Sequence, residues 1–331
     1  MVTEVNTLTK NVLQIAPLFD PETGETVIRP AHDKSGFWVG APCILWDEKE
    51  RMFYLYYRVR NPRDYGAEER GFEVRIARSP NGKDFEDVWK LHKSELNSSS
   101  IERSSLVKVQ EDLYRLYISY VDPIDNRWRI DLMEAQSPTE FDPRDRKKIL
   151  TALDIEGAEG VKDPYMVKRG SQYFMYFVYA KPISGISHED MHRTGDVHNT
   201  GYAVAETGLA VSEDGINFRF IGTVLPVGIS GWDQYQSRIT TIIPYKGVNT
   251  VLWDGSFGVE QNFEEQASIA VSVDLITFAK IANGPVLETR MGKSIRYVDA
   301  IIHDNTIWYY YEYCTEGGAH ELRLCRIPLG E

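Results

Sequence analysis

Two stretches decide the fold: VKDPYMVKRGSQYFMYFVYA at residues 161–180, and LAVSEDGINF at 209–218. A short apolar strand at 165–168 runs into an Arg169-Gly170-Ser171 turn and then into an aromatic run at 173–180. Tyr, Phe, Met and Val cluster there without a 3.6-residue period, which predicts strand rather than helix. A third strand at 209–212 ends at Ser212. Asp214 and Gly215 then supply a tight turn, and Phe218 is expected to anchor a fourth strand in the core of the unit. The unit is a four-stranded antiparallel meander.

The same order recurs along the chain. Aromatic, β-branched runs stand at 53–60 (FYLYYRVR), 114–122 (YRLYISYVD), 173–180, 249–257 (NTVLWDGSF) and 307–314 (IWYYYEYC). Their spacing of about 50 to 75 residues suits a propeller blade with insertions. Each follows a shorter strand (41–45, 105–109, 165–168, 240–244, 300–303) and a hairpin turn. The serine-turn-Phe signature appears four times, as SPNGKDF at 79–85, SPTEF at 137–141, SEDGINF at 212–218 and SVDLITF at 272–278. Two unrelated β-sandwiches would not require one order five times over. The sequence therefore predicts an all-β, five-bladed β-propeller of four-stranded antiparallel blades, with residues 1–331 as a single domain. Residues 12–19 are expected to supply the strand that closes the last blade.

Composition narrows the partners. The 331 residues are 42% hydrophobic and 26% charged, and the net charge of -12 opposes nucleic acid. No uninterrupted apolar run approaches the ~18 residues of a membrane span, and residues 1–10 show no signal-peptide pattern. A cytoplasmic location is expected, with self-association left open. Cys43, Cys314 and Cys325 do not make a disulfide framework. Cys314 and Cys325 flank a hairpin at Gly317-Gly318 and could face each other, but the set reads mainly as buried thiols in a reducing compartment.

The segments YYRVR and IARSPNGKDF in the first unit, VKDPYMVKRGSQYFMYF in the third, and SEDGINF resemble the five-bladed propeller glycosidases, the group holding glycoside hydrolase families 43, 62, 32, 68, 117 and 130. The first unit and the serine-turn-Phe repeat are most similar to family 130, the mannoside phosphorylases and mannosidases. The KDP start is similar to family 130 or family 43. The resemblance implies a carbohydrate-active enzyme with carboxylates at the entries of the innermost strands. Two departures stand out. Family 43 implies a base Asp at the first blade start, where this chain has Gly40-Ala41-Pro42. Family 130 implies an acidic DPR-type start in the second blade, which here reads Glu102-Arg103-Ser104.

The five blade starts offer Glu102, Asp163 and Asp299 as candidate catalytic acids. Glycoside cleavage needs a proton for the leaving oxygen and a base or nucleophile opposite it, and acids on different blades can face each other across one axis. Pro164 is expected to hold Asp163 extended. Arg58, Arg103, Arg238 and Arg296 with Tyr297 are candidate substrate contacts, since arginines near carboxylates hold sugar hydroxyls or an anion. His198, Trp232 and Asp233 complete the set, and Glu156 and Glu159 are reserves. Residues 183–199 read as an insertion that rims or covers the axial funnel. Within it His188 and His192 have i,i+4 spacing, but without a Glu-containing zinc motif no metal or other cofactor is assigned. The leading expectation is a hydrolase acting on a terminal sugar or short oligosaccharide. The alternatives are a phosphorylase with an arginine-lined phosphate site and a non-catalytic carbohydrate-binding propeller.

Overall fold

A computed structural model describes residues 14–183 and 185–330. The fold is all-β, with sixteen strands in one sheet and four in a second, and strands consecutive in the chain pair antiparallel in successive units. After β1 (Glu25–Ile28), the first unit is β2 (Trp38–Asp47), β3 (Met52–Asn61), β4 (Arg70–Ser79) and β5 (Glu86–His92). The second is β6 (Ser105–Gln110), β7 (Leu113–Val121), β8 (Trp128–Ala135) and β9 (Lys147–Leu150). The third is β10 (Val161–Arg169), β11 (Gln172–Pro182), β12 (Ala203–Ser212) and β13 (Arg219–Leu225). The fourth is β14 (Gln236–Tyr245), β15 (Val248–Ser256), β16 (Gln266–Ser272) and β17 (Ala279–Lys280). The fifth is β18 (Ile295–His303), β19 (Thr306–Cys314) and β20 (His320–Pro328), and its outer edge is completed by β1.

The expected closing strand at 12–19 is therefore displaced. Residues 12 and 13 lie outside the described residues, and 14–19 form no strand. Ala16 and Phe19 instead pack against Tyr309 and Tyr311, and the pairing strand is β1, which begins six residues after the expected strand's end.

The second strand of each unit is buried on both faces, which is why it reads as continuous aromatic and aliphatic residues rather than alternating with polar ones. On β3, Tyr54 and Tyr56 pack toward Tyr114 and Leu116 of the second unit. Phe53, Leu55 and Tyr57 pack the other way, toward Tyr310 and Leu322 of the fifth. Period-two geometry thus sends successive side chains to two different neighbours.

The serine-turn-Phe signature is likewise a device between units. Ser212 Oγ accepts from Gly215 N at 2.9 Å, and Asp214 Oδ1 accepts from Ile216 N and Asn217 N at 2.8 Å. The Phe does not sit in its own unit's core as expected. Phe85, Phe141, Phe218 and Phe278 pack on Tyr310, Trp89, Tyr117 and Tyr176, each in the preceding unit. Three of those tyrosines also donate to the turn, to Gly82 O, Gly215 O and Leu275 O.

The innermost strands are joined by side chains. Leu106 N donates to Cys43 Sγ at 3.3 Å, Met166 N to Ser105 Oγ at 3.2 Å and Ile242 N to Tyr165 OH at 3.0 Å. Ala300 N donates to Thr241 Oγ1 at 3.2 Å and Ile44 N to Asp299 Oδ2 at 2.8 Å. The fifth of these bonds returns from the last unit to the first.

All three cysteines are buried and free. Cys314 stands opposite His320 in the last hairpin, and Cys325 opposite Tyr309. No helix among the described residues is long and apolar enough to cross a membrane.

Candidate active site

The site grows out of a repeated irregularity in the inner strands. Pairing slips between Gly40 and Cys43 in β2, between Lys162 and Tyr165 in β10, and between Arg296 and Asp299 in β18. A β-bulge breaks the ladder locally and re-aims a side chain. The first extra residue is Ala41, Asp163 or Tyr297, and these have φ of 53°, 56° and 50°. Asp163 is therefore left-handed, not extended as its position before Pro164 suggested; the bulge overrides the local preference. A non-glycine residue held at positive φ is the kind of strain that collects at functional sites.

The bulges free backbone N–H groups, and buried polar side chains of the preceding unit accept them. Ala41 N donates to Glu312 Oε2 at 3.1 Å, and Tyr297 N to Asp254 Oδ2 at 2.9 Å. Asp163 N donates to Ser119 Oγ at 3.4 Å. Register places Arg58, Asp254 and Glu312 at one position of three second strands, opposite Gly40, Arg238 and Arg296. Sequence reasoning singled out Arg58 there and missed Asp254 and Glu312. The available signal was the same in all three: one charge in the middle of an aromatic run.

These elements bring Glu102, Asp163 and Tyr297 together. The Tyr297 hydroxyl lies 3.0 Å from Asp163 Oδ2 and 3.4 Å from Glu102 Oε2, so two hydrogen-bond lengths span the carboxylates. Arg58 pairs with Glu102 through Nη1. Arg238 bridges Asp163 at 3.1 Å and Asp254 at 2.6 Å, and its guanidinium lies 3.6 Å from the Tyr297 ring centre. Arg296 pairs with Glu265 at 2.8 Å and lies 4.7 Å from the centre of the same ring. Arg60 lies 4.5 Å from the ring centre of Trp38 and 4.4 Å from that of Phe263, and approaches Glu102 at 3.9 Å. All of the charged groups in this cluster are buried.

Burial alone would raise the Asp163 carboxyl, but Lys162, Arg238, Arg58 and Arg103 outweigh it and hold the group below its ordinary value. Asp254 goes the other way: burial wins over Arg238 and raises it. Burial, with Arg58 beside it, brings Arg60 down to about 9. Several buried polar atoms in and around this cluster have no hydrogen-bond partner among the described residues. They are Asp163 Oδ1, Arg58 Nη2, Arg103 Nε and Nη1, and both ring nitrogens of His198. Buried polar atoms are normally paired, so a cluster of unpaired ones fits a polar ligand.

Not every candidate joins. Asp299 holds Ile44 N and lies 3.8 Å from Arg103 Nη2, in the same joining position as Cys43, Ser105, Tyr165 and Thr241. Arg103 donates to Thr240 O at 2.7 Å. Asp233 pairs with Lys280 at 2.6 Å, and Trp232 stacks on Trp253 at 5.0 Å, both away from the Glu102–Asp163 pair. Glu156 makes no contact with the pair, and Glu159 is held by Arg127 and His192. The insertion folds as a short helix, His188–His192, and a turn at Val197–Asn199, and Arg70 docks it by donating to Gly195 O at 3.0 Å.

His198 is buried beside Lys162 and Asp196, and burial together with Lys162 pushes its imidazole down to about 3. The folded state keeps it neutral while the unfolded chain takes up a proton below about 6.5. Its contribution is thus intact above that pH and is lost as pH falls toward 3, with a slope of at most ~1.4 kcal/mol per pH unit. His198→Asn is expected to flatten this part of the acid profile. Urea unfolding at three pH values between 7 and 4.5 reads it, and parallel curves for the two proteins would contradict it.

No protein-family model matches the sequence, and no curated protein does. Solved structures do. A thermostable family-43 glycoside hydrolase superposes with a TM-score of 0.62 at 14% identity, covering 91% of this chain and 93% of its own. A β-1,2-mannobiose phosphorylase from Listeria innocua gives 0.59 at 14%, covering 92% and 94%. A structure described with the GH130 mannoside phosphorylases and hydrolases that target β-1,2 mannosidic linkages in Candida mannan gives 0.63 at 12%, covering 94% of each chain. The sequence resemblance to families 43 and 130 is thus matched by structure, and at these identities what the chain shares with these glycoside-active proteins is their fold.

Proposed function

We propose that this chain is a five-bladed propeller enzyme, one domain over residues 1–331, that cleaves a glycosidic bond with Glu102 and Asp163. The supporting observation is the convergence of these two buried carboxylates, from different units, on one tyrosine hydroxyl. The five side-chain bonds between inner strands support five blades. Asp163, held ionised by its cations, serves as base or nucleophile. Tyr297 has one hydroxyl proton and gives it to Asp163, the nearer acid. Glu102 is the second carboxylate of the pair and takes the other role, protonating the leaving group. Arg58, Arg238 and Arg296 fix the carboxylates and the Tyr297 ring. Asp299 acts in joining the inner strands, and the protein works as a soluble cytoplasmic enzyme on a carbohydrate.

Phosphorolysis is the second reading. It is favoured by the unpartnered N–H groups of Arg58 and Arg103 near the pair, which suit an oxyanion. A panel of aryl glycosides and short oligosaccharides, assayed with and without phosphate, separates the two. Turnover that needs phosphate selects the phosphorylase, and turnover without it the hydrolase. Glu102→Gln is expected to slow substrates with poor leaving groups by ~100-fold or more and activated aryl glycosides much less. Equal slowing of both would remove Glu102 from the acid role, and no turnover on the whole panel would favour a carbohydrate-binding propeller.

A further inference from the structure

The last hairpin places His320 directly across from Cys314, one step from the carboxylate cluster. His320 Nδ1 lies 2.7 Å from Glu312 Oε1. Glu312 is held ionised against burial by Arg296, His320 and Arg58, so Nδ1 carries the proton of that bond. The other nitrogen, Nε2, is buried, has no hydrogen-bond partner among the described residues, and points to Glu264 Oε1 at 3.8 Å. Trp38 packs on the imidazole at 4.6 Å and fixes the plane of the ring. Cys314 Sγ, a His320 ring nitrogen and a Glu264 oxygen all lie within 4.8 Å of one another. Ligands on a tetrahedral ion with bonds of 2.0–2.3 Å sit roughly 3.3–3.7 Å apart, so small side-chain shifts close the set.

We propose that Cys314, His320 and Glu264 form a site for a divalent transition metal of the zinc type, with the fourth position open to solvent. A thiolate, an imidazole and one carboxylate form a mixed set that suits zinc or cobalt over calcium or magnesium. The Nδ1 contact to Glu312 is the outer-shell carboxylate that orients a metal-bound histidine. Glu264 is half exposed while Cys314 and His320 are buried, which gives the ion a way in. Binding releases the thiol proton of Cys314, and any proton on His320 Nε2, to solvent. The ion would tie the loop before β16 to the β19–β20 hairpin and hold Glu312 against Arg58 and Arg296. The cluster of Glu159, His188 and His192 is a poorer candidate, because Arg127 already donates to Glu159 Oε2 at 3.0 Å through Nε and lies at 2.7 Å through Nη2.

The test uses the full chain, stripped with a chelator and titrated with Co²⁺. One equivalent should bind, with thiolate-to-cobalt absorption in the near ultraviolet that Zn²⁺ abolishes. Cys314→Ser should remove that band, while Cys43→Ser, Cys325→Ser and His188→Asn should keep it. Glu264→Gln, on an exposed loop where folding is not at stake, should weaken binding at least about tenfold. No stoichiometric Co²⁺, a band that survives Cys314→Ser, or unchanged affinity in Glu264→Gln would each overturn the site. None of these readouts uses turnover, so they stand apart from the glycosidase reading.

Discussion

Asp163→Asn is expected to lower kcat by about a hundredfold at least, and by ~10⁴-fold if Asp163 is a nucleophile rather than a base, while the fold survives. Asparagine is the right replacement because it tolerates a left-handed backbone, and Asp163 has φ of 56°. It also keeps an oxygen for the Tyr297 hydroxyl and for Arg238, which now stand at 3.0 and 3.1 Å. What it removes is the negative charge that Lys162, Arg238, Arg58 and Arg103 hold in place. Arg238 keeps Asp254 at 2.6 Å, so the guanidinium is not abandoned. The loss should therefore fall on kcat more than on KM, with near-native circular dichroism. An Asp163→Asn enzyme as active as wild type would remove the residue from the chemistry.

The repeat made the architecture legible. The five aromatic runs are the five second strands, and they could be read because each is buried from both sides and tolerates little else. The serine-turn-Phe signature was also visible, but its target was not. Nothing in the spacing of Ser212 and Phe218 says that the ring crosses to Tyr117 of the preceding unit. The closing strand failed for a related reason. Residues 14–19 are apolar enough to pass for a strand, yet Phe19 is spent on the faces of Tyr309 and Tyr311, and the less conspicuous Glu25–Ile28 supplies the pairing.

Part of the candidate site was legible. Glu102, Asp163, Arg58, Arg238, Arg296 and Tyr297, which the structure brings together, could be picked out as candidates because charged residues at the entries of apolar strands call for partners. Asp299 looked equivalent to Asp163, but the bulge separates them. Asp163 is the first extra residue, while Asp299 stands where pairing resumes and therefore meets Ile44 N of the neighbouring strand. Period-two reasoning carries no account of a slipped register, so two acids two positions apart in the bulge could not be told apart. Asp254 and Glu312 were hidden within their aromatic runs.

Glu312→Ala is expected to destabilise the protein by about 3–5 kcal/mol, the cost of leaving buried charges without their counterion. Glu312 has no exposed surface and answers four groups: Ala41 N at 3.1 Å, His320 Nδ1 at 2.7 Å, Arg296 Nε at 3.4 Å and Arg58 Nη2 at 4.0 Å. It also explains the first unit's missing acid. A Cβ on Gly40 would stand 1.8 Å from Glu312 Oε2, so the blade start that reads Gly40-Ala41-Pro42 leaves room for a carboxylate delivered by the fifth unit. Because the folded-state pKa of Glu312 lies well below its unfolded value, this stabilisation is fully present above about pH 4.3 and shrinks as pH falls through the acid range. The gap in urea midpoint between wild type and Glu312→Ala should be wide at pH 7 and narrower near pH 3. Glu312→Gln, which keeps an acceptor for Ala41 N but not the charge, should fall between the two. A Glu312→Ala protein with a native midpoint at pH 7 would mean that the arginines find other counterions, and that Gly40 needs a different explanation.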